Sequence, residues 1–297
     1  NAVGGTSSSA RDWLHTNSID YNPLKNEIMV SVRGFSELWI IEKESSSDLK
    51  YRWGNPMAYG RGLEEDQVLF EQHYCHWIEP GLPGEGHVLI YNNGTNRPDG
   101  QYSSVEQIKT PLIVDGEYPI SEDGPYGPEN TEWRYPETLG VQLFSHNVSG
   151  AQRLPNGNTL ICEGASGHLF EVNDIGDIVW DYINPVSIWG ALEQTTSVFG
   201  NSVFQAQRYA PNYGAFVGRN LTPMGEIEIN PLPSMCDITY APTCPGDMNY
   251  DYLITVQDLT IALSAFACTN CTSDIDGDAS FGISDLLILL SAFGTSC

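Results

Sequence analysis

The chain has 297 residues, enough for one large domain and a small one, with 13 Lys and Arg against 38 Asp and Glu and a formal charge of −25. That balance repels nucleic acid and anionic membrane surfaces, so neither is expected as a partner. No run of 18 apolar residues occurs, which leaves no candidate transmembrane helix.

Taken in chain order, residues 1 to about 235 read as short strands separated by Gly, Pro and Asn turns, an all-β pattern. The chain starts in a loop-like stretch, "NAVGGTSSSA", without Met or signal peptide, and reads as a mature or N-terminally truncated form. "LHTNSIDY" then predicts the first strand of a sheet, "NPLKN" a turn and "EIMVSVR" a second strand. The turn centres near Leu24, so residues whose numbers sum to about 48 face one another and His15 lies opposite Arg33, beside Asn17. "ELWIIEKESSSDLKYRWGNP" supplies two outer strands.

The unit then repeats. "HYCHWIEPGLPGEGHVLIYNNG" and "HNVSGAQRLPNGNTLICEG" overlay the first hairpin, "HLFEVNDIGDIVWDYINP" overlays its outer half, and "AQRLPNG" recurs as "AQRYAPNYG". Units of four strands and about 55 to 70 residues are the signature of a β-propeller, here about three and a half blades over residues 1–235. The first strand of a blade lines the central channel, so His15, Asn17 and Arg33 are expected at the channel mouth. His73 holds the equivalent place 58 residues on, and His146 with Asn147 the next. Imidazoles with one guanidinium suit an anion site, since Arg and His⁺ hold spread negative charge and neutral His attacks electrophiles. Metal binding by the same histidines ranks lower, because no carboxylate or Cys stands at ligand spacing. His87 and His168 read as structural. Arg153 and Arg208 recur within the repeat and read as blade-to-blade contacts, and Trp77 or Tyr91 are candidates to stack on an aromatic ligand. Sequons stand at Asn93, Asn147, Asn220 and Asn270.

Residues 236–243, "CDITYAPT", form a linker. A duplication follows at a spacing of 27 residues, over 244–297, each copy an Asp-rich loop and an apolar-striped helix. Asp247, Asn249, Asp251, Leu253, Thr255 and Asp258 fall at loop positions 1, 3, 5, 7, 9 and 12; Asp274, Asp276, Asp278, Ser280, Gly282 and Asp285 repeat them. Those are the calcium-ligand positions of an EF-hand-type loop, where alternating oxygens converge on one ion. Two calcium ions are therefore expected. Position 12 is Asp, position 6 is Tyr252 or Ala279, and no helix precedes either loop. In these features the module resembles dockerins, a likeness that implies a cohesin-like or sorting partner. Cys75 and Cys162 read as buried thiols. Cys236, Cys244, Cys268, Cys271 and Cys297 crowd the end and point to an oxidising, extracytoplasmic setting. The duplication favours Cys244–Cys297 with Cys268–Cys271, and Cys244–Cys268 with Cys271–Cys297 as the alternative, leaving Cys236 over.

"DWLHTNSIDY…SVRG" followed by "QHYCHWI" resembles the aryl-sulfate sulfotransferases, and "GAQRLPNGNTLICEG…GHLFEV…GDIVWDYINP" is similar to their later blades, over residues 12 to 231. The resemblance implies a six-bladed propeller and transfer of a sulfuryl group from an aryl sulfate to a phenol through a sulfohistidine, without a nucleotide sulfate donor. It makes His73 the nucleophile, with His76 as competitor because the family's His stands three residues before the Trp whereas His73 stands four before Trp77. His15, Asn17 and Arg33 would grip the sulfuryl oxygens. The family uses a further His on an earlier blade, and none precedes His15. The alternative is a non-catalytic propeller that binds a glycan, an anion or a protein.

Overall fold

The structure, a computed structural model, describes residues 12–43, 48–137, 143–193, 199–222, 225, 227–229, 246, 248, 253–264, 266, 275 and 280–295. The chain is mostly β. Three four-stranded antiparallel sheets follow one another, each a simple up-and-down meander. The first holds β1 (Thr16–Asn22), β2 (Glu27–Val32), β3 (Glu37–Glu42) and β4 (Leu49–Trp53). The second holds β5 (His73–Trp77), β6 (Val88–Asn92), β7 (Ser104–Ile108) and β8 (Trp133–Tyr135). The third holds β9 (Gly150–Arg153), β10 (Thr159–Glu163), β11 (His168–Val172) and β12 (Ile178–Ile183).

The sheets stack like blades. β1 lies against β5, and β5 and β6 lie against β9, so the first strands are neighbours. The strand alternation explains how one sheet serves two cores. In β6, Val88 and Ile90 point to one side and join Met29, Leu38, Ile40, Tyr51, Cys75 and Trp77. Leu89 and Tyr91 point to the other and join Val105, Ala151, Ile161 and Phe170. Burial on both faces calls for apolar residues at successive positions, and β6 supplies them from Val88 to Tyr91 before ending on the buried Asn92.

A buried carboxylate recurs on the third strand of each sheet. Glu37, Glu106 and Glu171 pair with Arg52, Arg134 and Arg208. The expected blade-to-blade role of Arg153 also holds. Its guanidinium donates to Gln107 Oε1 at 2.6 Å and lies 4.9 Å from the centre of the Trp133 ring, both in the second sheet. The segment "AQRYAPNYG", by contrast, forms no strand of its own. It is held beside β9 through Gln152, which exchanges hydrogen bonds of 2.6 and 3.0 Å with the Arg208 backbone.

The expected register of the first hairpin is found. Near the turn the pairs sum to 49, as in Asn22 with Glu27, and a bulge between Thr16 and Ser18 resets them, so Thr16 faces Val32. The Arg33 N–H then donates to His15 O at 3.3 Å and the Gly34 N–H to Leu14 O at 2.9 Å. Gly34 is required for that approach: a Cβ there would meet Trp13 O at 2.4 Å and Leu14 O at 3.0 Å, both backbone atoms. Gly34→Ala is expected to cost about 1–3 kcal/mol, read as a lower urea midpoint, because the segment carrying His15 has to move away.

Near the C-terminus, α1 (Val256–Ser264) and α2 (Ile283–Ser291) are the two helices of the duplication. Ile254, Ala262, Phe281 and Leu289 form their own small core. The linker, Cys236, Cys244, Cys268, Cys271 and Cys297 lie outside the described residues, and so does any bond among them. Cys75 and Cys162 are buried free thiols, and burial pushes each up to about 12.

Candidate active site

The site sits at the end of the sheets where β2 turns into β3, where β4 connects to β5, and where β6 ends. The open end of the β1–β2 hairpin brings His15 and Arg33 together through the backbone. The next sheet begins at the same end with His73, which pairs with Tyr91 across β5 and β6. A second bulge follows directly, between His73 and His76, with Tyr74 at φ 51°. Bulges re-aim side chains, and this one separates the two histidines.

Arg33 forms an ion pair with Glu71, a buried carboxylate two residues before His73. Glu71 Oε1 also accepts from Asn96 Nδ2 at 3.1 Å, and its own N–H donates to Ser36 Oγ at 3.2 Å. Asn17 reaches the same segment, its Nδ2 donating to Gln72 O at 2.8 Å. Its Oδ1 is buried without a partner among the described residues. His15 holds Nδ1 2.6 Å from Asp12 Oδ2 at the outer edge. Left-handed backbone gathers here, at His15, Ser36, Glu71, Tyr74, Asn96, Val148 and Ser149, a concentration of strain typical of working sites.

His73 is 4 % exposed. Burial drives its imidazole from 6.5 down to about 4; the hydrogen bond to Asn93 opposes the shift, Arg33 adds to it, the Glu71 carbonyl opposes it, and His15 adds a little. His73 is neutral at neutral pH, and its stability linkage has a definite sign. Between pH 6.5 and about 4 the unfolded chain takes up a proton that the folded chain refuses. Folding stability therefore falls as pH drops through that window, by roughly 3 kcal/mol in all. Urea unfolding from pH 7 to 4 should show that loss, and His73→Gln should remove it from the profile.

His76 sits elsewhere. Its ring packs 4.5 Å from that of Tyr74, its charge neighbour is Asp20, and burial lowers it. His146 and Asn147 are exposed in the loop before β9, where the His146 carbonyl accepts from Thr95 Oγ1. His87 and His168 are structural, as expected: His87 Nδ1 lies 2.9 Å from Gln107 Nε2, and His168 bridges Glu163 and Asp181. Trp77 and Tyr91 do not face a ligand. Both are interior, one in each of the two cores, because strand alternation turns them inward. Asn93 is no glycan acceptor in the folded chain, being fully buried with its amide engaged.

Two residues that sequence reading passes over complete the cluster. Glu71 orients Arg33, and Asn93 Oδ1 lies 2.8 Å from His73 Nδ1. Glu71 also lines a cleft of about 200 Å³ at the same end of the sheets, with Ser36, Glu64, Gln67, Phe70, Thr95, Asn96 and Pro98; His73, Arg33, His15 and Asn17 are not part of its lining. Among the described residues no group of three or more His, Cys, Asp or Glu side chains is placed to hold a metal, and no helix is long and apolar enough to cross a membrane.

In the C-terminal module, Asp247, Asn249, Asp251, Asp274, Asp276 and Asp278 lie outside the described residues. Of the remaining candidates, Leu253 and Ser280 are bridge residues, and Thr255 and Gly282 precede the helices. Asp258 and Asp285 are fully buried and bonded alike. Asp258 accepts from the N–H groups of Met248 and Thr255 at 2.8 and 2.7 Å, and Asp285 from those of Ile275 and Gly282, both at 2.7 Å. Each carboxylate thus ties its loop to the first turn of its helix, where the helix dipole favours negative charge.

Successive four-stranded antiparallel meanders, with Arg33, His15 and His73 at one end of adjacent sheets, define a protein of repeated β-blades. Residues 3–197 match the family model for arylsulfotransferase (ASST), and the chain belongs to that family. No curated protein matches it. Among solved structures, a protein of unknown function from Bacteroides caccae aligns at 16 % identity and TM-score 0.33, over 55 % of this chain and 47 % of its own. BamB from Moraxella catarrhalis aligns at 10 % identity and TM-score 0.31, over 58 % of this chain and 39 % of its own. The chain thus spans about half the length of the first and less of the second.

Proposed function

We propose that the chain carries the transfer site of an aryl-sulfate sulfotransferase built on a six-bladed propeller, with His73 as nucleophile. The observation that supports this reading is a buried imidazole, His73, standing two residues beyond Glu71, the carboxylate that holds Arg33. The Nε2 lone pair of His73 attacks sulfur, the S–O(aryl) bond breaks, and the aryloxide leaves with the bonding pair. A phenol oxygen then attacks the sulfohistidine, the N–S bond returns its pair to Nε2, and the phenolic proton passes to the departed aryloxide or to water. Splitting one transfer into two is nucleophilic catalysis. Charge stabilisation on the sulfuryl oxygens comes from Arg33, from His15 when protonated, and from the Asn17 N–H that Gln72 does not take. Asn17 Oδ1 is an acceptor and has to face away from the anion. His76 lacks the Arg33 neighbour, which favours His73. No step calls for a nucleotide sulfate donor.

The C-terminal module is read as a dockerin-like calcium unit. The identical, buried carboxylates of Asp258 and Asp285 fit the twelfth ligand position of each loop. Bound calcium would draw each loop together, and the module would dock a cohesin-like or sorting partner. The C-terminal cysteines support an extracytoplasmic location. The test of the catalytic reading is release of 4-nitrophenol from 4-nitrophenyl sulfate by the full chain. Release that depends on added phenol supports transfer; no release with any phenol leaves a binding propeller.

A further inference from the structure

Neither His15 with Asn17 nor Arg33 fixes which ring nitrogen of His73 is bare. We propose that Asn93 is a positioning residue for the nucleophile: it holds the proton on Nδ1 of His73, leaves Nε2 as the attacking nitrogen, and ties that choice to the loop leading into the third sheet. The proposal rests on His73 being the nucleophile, but the tautomer itself does not.

The Asn93 amide is fully buried, and its Nδ2 lies 2.7 Å from Ser145 O and 3.1 Å from Val148 O. Both are backbone carbonyls and only accept, so the NH₂ has to face them. The opposite orientation sets a carbonyl oxygen against two others and is excluded on that ground. Oδ1 is therefore the atom 2.8 Å from His73 Nδ1. A carbonyl oxygen only accepts as well, so Nδ1 has to carry the hydrogen. In a neutral imidazole the other nitrogen is then bare.

The two carbonyls are held in advance. Val148 and Ser149 adopt φ of 49° and 87°, and a β-branched residue in that region is a genuine outlier. Ser149 Oγ donates to Ser145 Oγ at 2.8 Å, and the Ser145 N–H donates to Ser103 Oγ at 2.9 Å. Ser103 Oγ in turn donates to the Asn93 backbone carbonyl at 2.7 Å. Gly94, at φ +71°, makes the return possible, since a Cβ there would fall 1.7 Å from Tyr102 O. The site thus draws on three successive sheets: the first gives Arg33, the second His73 and Asn93, and the third, through its lead-in loop, orients Asn93.

Nitrogen-15 correlation spectra of the histidine-labelled full chain test this directly. The expected wild-type result near neutral pH is a protonated Nδ1 and a pyridine-type Nε2 for His73, assigned by loss of the signal in His73→Gln. Asn93→Ala should shift that signal toward the other tautomer and lower kcat by about 10²-fold or more, with KM for the aryl sulfate nearly unchanged. Asn93→Asp keeps an acceptor for Nδ1 and adds a charge, so the acid limb of kcat/KM should move up from about pH 4. A wild-type His73 with its proton on Nε2 overturns the proposal, even if neither variant folds. So does an Asn93→Ala protein whose spectrum is unchanged. A chain with the expected spectrum but no sulfuryl transfer upholds the tautomer and removes only the catalytic reading.

Discussion

His73→Ala is expected to lower kcat for sulfuryl transfer from 4-nitrophenyl sulfate to phenol by about 10⁴-fold or more, with the fold retained. The covalent route disappears with the imidazole, and Arg33 and Asn17 are left to bind an anion they cannot attack. The wild-type pH profile gives an internal check. The nucleophile has to be neutral, and burial brings His73 down to about 4. The acid limb of kcat/KM is therefore expected near pH 4, far below the ordinary imidazole value of about 6.5. His76→Ala, which removes a ring packed on Tyr74 and remote from Arg33, is expected to leave kcat within a few fold. A large loss in His76→Ala with little in His73→Ala would exchange their roles.

Arg33→Lys is expected to cost about 10²–10³-fold in kcat/KM. Lys keeps the charge but loses the planar fork that, in the proposed mechanism, would grip two sulfuryl oxygens while remaining paired to Glu71. Arg33→Ala is the poorer probe. It strands the Glu71 carboxylate, only 10 % exposed, without its cation, and a broken buried pair costs about 3–5 kcal/mol of stability. Lower activity in that variant mixes chemistry with folding. The Lys variant should hold its urea midpoint within about 1 kcal/mol of wild type, so its kinetic loss reports on the site. Unchanged kcat/KM in Arg33→Lys would remove the guanidinium from the mechanism.

The parts of the site that follow from local pattern were legible in the sequence. The turn at "NPLKN" and a period of two place His15 opposite Arg33, and the backbone bond between them follows. The repeat likewise puts His73 at the head of the next sheet. What stayed hidden depends on tertiary approach. Glu71 meets Arg33 across 38 residues of chain, and Asn93 meets the third-sheet loop across 52. The "NGT" after β6 reads as a glycosylation site, yet its glycine marks a tight return that buries Asn93 against His73. Trp77 and Tyr91 looked free to stack on a ligand because a single strand does not reveal that both its faces are covered. Here a sheet on each side takes them into separate cores.

A sulfohistidine intermediate is visible to mass spectrometry as a covalent mass increase on one peptide. The full chain, incubated with 4-nitrophenyl sulfate without acceptor and digested at mildly alkaline pH, should yield the peptide holding His73 with one added SO₃ group. Phenol added before digestion should discharge it. Turnover with no SO₃ on His73, or with the group on His15 or His76, would contradict the account.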